Sequence, residues 1–278
     1  MRFKIIAMLI LISSSTHTLA ENLNKNYSFA VVPQQSAQRL AALWGPILAH
    51  IQKETGIKLQ FKTAKNIPEF EKRLAQSEYD FAYMNPYHFT VFNRSQGYTA
   101  IAVRKDQPIK GIIVVRKDSP ISSIDELADK TLAFPSPGAF AASILPRANL
   151  KQQNIKITPR YVSSHDSVYL NVARGLLPAG GGVKRTFDNT NPTINSTLKI
   201  LWTSTAYTPH AIAAHPNVKK DIRDRIQNAL VNMKNTAKGK KLLLALKIKN
   251  GLIKAEDKDW DDVRDLKLDA LDKLVQTK

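Results

Sequence analysis

Residues 27–56 read YSFAVVPQQSAQRLAALWGPILAHIQKETG. The run Tyr27 to Val32 is short and apolar, and Pro33 breaks it into the polar loop Gln34-Gln35-Ser36. Beyond the loop, Leu40, Leu43, Trp44, Ile47, Leu48 and Ile51 recur at three- and four-residue intervals until Gly56. A bounded apolar run followed by a stripe of helical period is a buried strand feeding an amphipathic helix. Glycine just past the stripe is a helix stop, because it adopts the left-handed conformation without strain. Strand, polar joint and helix in succession are the repeating unit of an open α/β sheet.

The same grammar continues outward from this unit. Lys58 to Thr63 alternates as a second strand, Ile67 to Gln76 has helical period, and Phe81 to Met84 is a third strand. That strand ends at Asn85-Pro86, where proline suits the first turn of a helix. Strands follow near Thr99 to Arg104, Gly111 to Val115 and Thr131 to Phe134, with a capping box of Ser123 and Glu126 opening a short helix. A helix runs to about Leu150, Tyr161 to Ser163 is strand-like, and Ser164-His165-Asp166 opens a helix to Arg174. Ala179-Gly180-Gly181-Gly182 reads as a tight glycine loop ahead of Val183 to Phe187. Leu198 to Trp202 and His210 to Ala214 are strands, and the remainder is helical: Pro216 to Met233, Lys240 to Leu246 and Asp259 to Leu274.

Two polar, proline-bearing stretches, Lys105 to Lys110 and Thr203 to Pro209, are candidate crossovers. They enclose a middle block, which predicts two lobes. One is built from 21–105 together with 206–278, and the other from 106–205.

The leader has its own logic. Arg2 and Lys4 precede the apolar run Ile5 to Ile12, and Thr18-Leu19-Ala20 ends the segment with small residues. That is the layout of a cleaved secretory signal over 1–20, and the run is too short to span a bilayer; a short N-terminal anchor is the alternative. No later stretch approaches the roughly 20 apolar residues of a spanning helix, so a soluble mature product of about 258 residues from 278 is expected. Cysteine is absent, which excludes disulfides, thiolate metal sites, a thiol nucleophile and a lipid-carrying cysteine. A free exported protein is retained only inside an outer membrane, so the periplasm is the expected compartment. The net charge is +18, or +16 without Arg2 and Lys4. That balance suits an anionic partner, although most of the scattered lysines are expected at the solvated surface.

Ligands of open α/β sheets bind at the carboxyl ends of strands. Four strand–helix joints here are polar or small: Gln35-Ser36, Asn85-Pro86-Tyr87-His88, Ser136-Pro137-Gly138-Ala139 and Ser164-His165-Asp166. Each has two readings. The amides and dipole of a helix start favour an anion, and equally Ser36, Ser136 and Ser164 are the residue type that caps its own helix.

The strings VVPQQSAQRLAALWGPIL, FEKRLAQSEYDFAYMNPYHF, GIIVVRKDSPISSIDEL, LAFPSPGAFAASILPR and SSHDSVYLNVARG resemble the phosphate/phosphite/phosphonate-type substrate-binding proteins of ABC transporters. The resemblance spans about Phe29 to Asn217. It implies a type 2 periplasmic-binding-protein fold, with two α/β lobes of mixed sheets, a two-strand hinge and a ligand cleft between the lobes. In that family helix-start amides, hydroxyls, a tyrosine and a histidine hold the ligand. His165 occupies the histidine position, and Tyr83, Asn85 and Tyr87 belong to the matching strand-end loop. Gln35 and Ser36 come from the first joint, and Ser136, Gly138 and Ala139 from the third.

Two departures bear on the ligand. The loop from Ser136 to Phe140 keeps one hydroxyl where the family is rich in them. An acid the family uses to receive a ligand proton would fall near Leu177-Pro178 and is missing, while Lys184 and Arg185 follow the glycines. Arg185 would grip an oxyanion with paired hydrogen bonds if it faced the cleft; a solvated Lys-Arg pair is the alternative.

These features predict a receptor that closes on a small anionic solute and delivers it to an inner-membrane ABC permease. Presentation of the closed form to a sensor kinase or chemoreceptor is the alternative. Catalysis is not expected. Asp166 adjoins His165 in sequence and is badly placed to orient its ring, and no nucleophile-elbow motif occurs. His50, His88, His210 and His215 are too scattered for a metal site, and no cofactor is implied. Export and the lack of aromatics along a basic strip argue against nucleic acid. A monomer is expected.

Overall fold

A computed structural model describes residues 25–275. The leader 1–20 lies outside the described residues. In chain order the first elements are β1 (Asn26–Val31), α1 (Ala37–Thr55), β2 (Lys58–Lys62), α2 (Ile67–Ala75), β3 (Phe81–Met84), α3 (Pro86–Gln96) and β4 (Thr99–Arg104). β1 pairs in parallel with both β2 and β3, and its apolar residues Tyr27, Phe29, Ala30 and Val31 are all buried, as in a sheet covered on both faces. Trp44 of α1 packs its ring 5.4 Å from Phe29 of β1 and 4.8 Å from Tyr83 of β3, which anchors the helix over the two strands. Gly56 ends α1 with φ 71°, as its position past the apolar stripe requires.

The middle block contains β5 (Gly111–Arg116), β6 (Thr131–Phe134), α4 (Leu145–Gln152), β7 (Thr158–Tyr161), α5 (His165–Ala173), β8 (Ala179–Val183), α6 (Lys184–Asp188), α7 (Pro192–Asn195) and β9 (Leu198–Thr203). After it come β10 (Ala211–Ala214), α8 (Lys220–Asn232), α9 (Ala237–Ala245), β11 (Leu252–Lys254), α10 (Asp261–Arg264) and α11 (Asp272–Val275). Two mixed sheets result, in the orders β11-β4-β10-β3-β1-β2 and β7-β6-β8-β5-β9. Strands from both ends of the chain share the first sheet, and those of residues 111–203 make the second. The two connections run side by side. Ile109 and Tyr207 form an antiparallel bridge, with amide-to-carbonyl distances of 2.8 and 3.0 Å. This is the type 2 periplasmic-binding-protein architecture that the resemblance implied.

The glycine segment corrects the sequence reading. Residues 180–182 are not a loop but the middle of β8, buried between β5 and β6. A Cβ on Gly181 would meet the Ala142 carbonyl oxygen at 2.0 Å. On the opposite face, one on Gly180 would meet Val168 at 2.5 Å and one on Gly182 the Tyr169 hydroxyl at 2.4 Å. The period of two is that of a strand. The absent side chains let the helical segments on both faces of the sheet pack closely against it.

Other differences are smaller. The strand expected at 161–163 lies at Thr158–Tyr161, parallel to β6. The long last helix is instead a 3₁₀ turn, Asp257–Trp260, followed by the short α10 and α11. β11 had no signal in a three-residue strand. The Ser123 helix is a single 3₁₀ turn in which Glu126 accepts the Ser123 amide at 3.1 Å.

Candidate functional site

The carboxyl ends of β1, β3 and β6 point to the space between the sheets, where a small cavity of about 10 Å³ lies. Its lining includes Val32, Gln34, Asn85 and His210 from the first lobe, and Ala139 to Ala142, His165 and Val183 from the second. That volume admits about one water molecule, so the cleft is closed in this structure.

The second lobe supplies two helix starts. Phe140–Ile144 is a π-turn leading into α4. The first amides of such a turn have no acceptor within it, and the amides of Phe140, Ala141 and Ala142 make no other backbone bond among the described residues. The other start is that of α5, capped by Ser164, whose hydroxyl accepts the Ser167 amide at 3.1 Å. His165 is its first residue and is buried. His165 Nδ1 lies 3.2 Å from Thr186 Oγ1, which is 2.8 Å from the Tyr169 hydroxyl and 2.9 Å from the Val183 carbonyl. Burial, then the charge of Arg185, push the His165 imidazole down to about 3.

The first lobe contributes an aromatic stack. The His210 ring lies 5.0 Å from that of Tyr83, which packs on Trp44. Both His210 ring nitrogens are buried without a hydrogen-bond partner. Burial, reinforced by Arg185 and Arg104, holds this imidazole well below its ordinary value. Both cavity histidines are therefore neutral at pH 7. Asn85 caps α3 by accepting the His88 amide at 2.8 Å. Behind it His88 Nε2 and Glu71 Oε1, both buried, are 2.8 Å apart.

Direct contacts close the lobes around the cavity. The His165 amide donates to the Gln34 carbonyl at 3.2 Å, and Asn85 Nδ2 donates to the Gly138 carbonyl at 3.2 Å. Arg185 Nη2 donates to Gln34 Oε1 at 3.1 Å, and Arg39 donates to the Asn189 carbonyl.

The sequence-selected residues separate into groups. Asn85, Ala139 and His165 line the cavity. Gln35, Tyr83 and Arg185 line a second recess that shares Val32 and Gln34 with it. Ser136, three residues before the lining Ala139, keeps a buried hydroxyl without a partner. Three candidates point elsewhere. Ser36 is exposed and its hydroxyl accepts the Arg39 amide as an ordinary cap. Gly138 faces Glu71, whose Oε1 would lie 2.3 Å from an added Cβ. Tyr87 accepts the Leu271 amide on its hydroxyl at 3.0 Å, fastening the C-terminal segment. Of the Lys-Arg pair, Lys184 is exposed and bound to Asp188 at 2.5 Å, and Arg185 turns inward.

His210 was missed. A lone histidine opening a strand carries no motif, although its place right after the second crossover puts it at the hinge mouth. Among the described residues no group of three or more His, Cys, Asp or Glu could hold a metal ion. No described helix is long and apolar enough to cross a membrane.

Residues 29–260 match the family described as the periplasmic substrate-binding protein of phosphonate ABC transporters. The chain is 22% identical over 277 residues to the Phosphate-import protein PhnD of Mycolicibacterium smegmatis, covering 89% of this chain and 86% of the relative. Among solved structures it resembles the binding-protein component of a Pseudomonas aeruginosa ABC phosphonate transporter, with TM-score 0.79, 17% identity and coverages of 87% and 85%. It also resembles PhnD1 of Prochlorococcus marinus in complex with methylphosphonate, with TM-score 0.79, 19% identity and coverages of 90% and 98%.

Proposed function

The chain belongs to the periplasmic substrate-binding proteins of phosphonate ABC transporters, and from that premise we propose that it captures a small oxyanion, phosphonate or phosphate in type, for an inner-membrane permease. The observation that carries this reading is the meeting of neutral, desolvated donors from both lobes on one enclosed cavity. They are the amides of the π-turn, His165 at the start of α5, and His210.

The cavity lining contains no Asp, Glu, Lys or Arg. An oxyanion there would be held by oriented dipoles, which act strongly where water is excluded. A ligand oxygen at His165 selects the tautomer with hydrogen on Nε2, and Thr186 then donates its hydroxyl to Nδ1. Tyr169 completes the relay by donating its hydroxyl to Thr186 Oγ1, 2.8 Å away. Because the closed cavity holds about one water, the ligand enters an open form. Closure follows when it bridges His165 and the π-turn on one side and Asn85 and His210 on the other. The closed form, made distinct by its interlobe hydrogen bonds, is the signal a permease reads.

We draw the lobe boundaries at the crossovers, near Lys105 and Ala206, and read the protein as a monomer that binds without turnover. Export by a cleaved leader over 1–20, and a free periplasmic form consistent with the absence of cysteine, complete the proposal. A thermal-shift screen over methylphosphonate, phosphate, phosphite, sulfate and small carboxylates tests it. A phosphorus oxyanion at 100 times its Kd adds about 2.7 kcal/mol to stability, and the ligand is recovered unchanged. Absence of a shift with every phosphorus oxyanion rejects the reading.

A further inference from the structure

A groove of about 390 Å³ lies beside the hinge, walled by three separate chain segments. The first crossover contributes Arg104, Ile109 and Lys110, the β8–α6 corner contributes Val183, Lys184 and Arg185, and the loop after α9 contributes Lys247 and Lys249. Backbone bonds fix these walls to one another. The Lys184 amide donates to the Lys110 carbonyl at 3.1 Å, and Gln107 binds the Lys247 carbonyl and the Lys249 amide at 3.0 Å each. Six cations face the groove against one carboxylate, Asp188, which is already paired with Lys184.

Arg104 sets this groove apart from a patch of surface lysines. It is only 5% exposed, its Nε is buried without a partner, and its side chain makes no hydrogen bond or ion pair among the described residues. Arg185 also keeps a buried Nε without a partner. A guanidinium buried without a partner and repelled by the charge of Arg185 is costly unless an anion contacts it. Long-range steering would not require the burial. Ile109 and Val183 line both this groove and the oxyanion cavity, so a single layer of residues separates the two.

We infer that the groove is a second anion subsite, and that the ligand carries two negative groups: a phosphorus oxyanion head and, on a short linker, a carboxylate or second phosphate held by Arg104 and the groove lysines. This inference rests on the oxyanion reading of the cavity. It also selects against aminoalkyl phosphonates, because the groove offers an ammonium group no free carboxylate.

Calorimetric titration of the intact mature protein with propylphosphonate, 3-phosphonopropionate and 2-aminoethylphosphonate tests the inference, with methylphosphonate as the reference. The expected order is 3-phosphonopropionate at least 10-fold tighter than propylphosphonate, and 2-aminoethylphosphonate weakest. Arg104→Gln removes that advantage and leaves methylphosphonate within twofold of the unaltered protein. Should that variant fail to fold, the exposed pair Lys247→Glu and Lys249→Glu weakens 3-phosphonopropionate several-fold and spares methylphosphonate. Equal affinity for the propyl and carboxylate compounds overturns the subsite, as does a parallel loss for both head and head-plus-acid ligands in the variants. If methylphosphonate itself does not bind, the oxyanion reading fails first and the subsite falls with it.

Discussion

The cavity and the groove share Ile109 and Val183, and their linings carry charge in opposite ways. The cavity has no formal charge in its lining, which presents helix-start amides and two neutral histidines. The groove is lined by six cations, carried on arginine and lysine stems from both lobes, and one carboxylate. Dipoles held by packing cannot follow a ligand that is displaced by an ångström, so the proposed oxyanion cavity would select shape. Long cationic side chains adapt, so the proposed subsite in the groove would select charge. One wall therefore separates a site whose properties come from packing and a site whose properties come from composition.

The largest expected effect strikes the packed side. Gly181→Val forces a side chain into the Ala142 carbonyl and the Phe134 ring. It should cost about 3 kcal/mol in urea unfolding and abolish oxyanion binding, because Ala142 is the cavity wall. A variant that keeps both stability and affinity would break the contrast. Next come the histidines. His165→Ala and His210→Ala are each expected to weaken a phosphorus oxyanion by roughly 10- to 100-fold, the worth of one hydrogen bond to a charged group. Lys184→Ala, which removes a cation already paired with Asp188, should change it less than threefold under the same titration.

Acid separates the two regions by a different measure. His165 is held down to about 3 against an unfolded value near 6.5, and His210 is also depressed. The unfolded chain thus binds more protons than the folded one throughout that interval. Stability of the unliganded protein is whole above pH 6.5 and falls as pH drops toward 3, by up to about 1.4 kcal/mol per pH unit for each histidine. His165→Gln should flatten the slope in pH-dependent denaturation curves, whereas Lys247→Gln should leave it unchanged. The smallest effect lies outside both regions. Tyr87→Phe loses the hydroxyl that accepts the Leu271 amide and should cost about 1 kcal/mol, with binding altered less than twofold in the titration.

Much of this arrangement was legible in the chain. Ser164 capping α5 with His165 as its first residue, and Asn85 capping α3, follow from local chemistry, and both His165 and Asn85 reach the cavity. The direction of a side chain at a joint was less legible. Tyr87, two residues from Asn85, sits on the far side of its helix against the C-terminal segment, because consecutive helical residues diverge by about 100°. Ser36 caps α1 by accepting the Arg39 amide, the ordinary role of a serine at a helix start. Gly180 to Gly182 looked like a loop because composition records flexibility and is silent on what packs above and below.

The sequence by itself determined the alternation of strands and helices and the helix starts, since these depend on neighbours within about four positions. Only the tertiary structure decided that His210 stacks on Tyr83, that three glycines form a buried strand, and that Arg104, Arg185 and Lys247 share one groove. Those partners lie some 60 to 140 positions apart, and nothing local records a contact made only when two sheets close on each other.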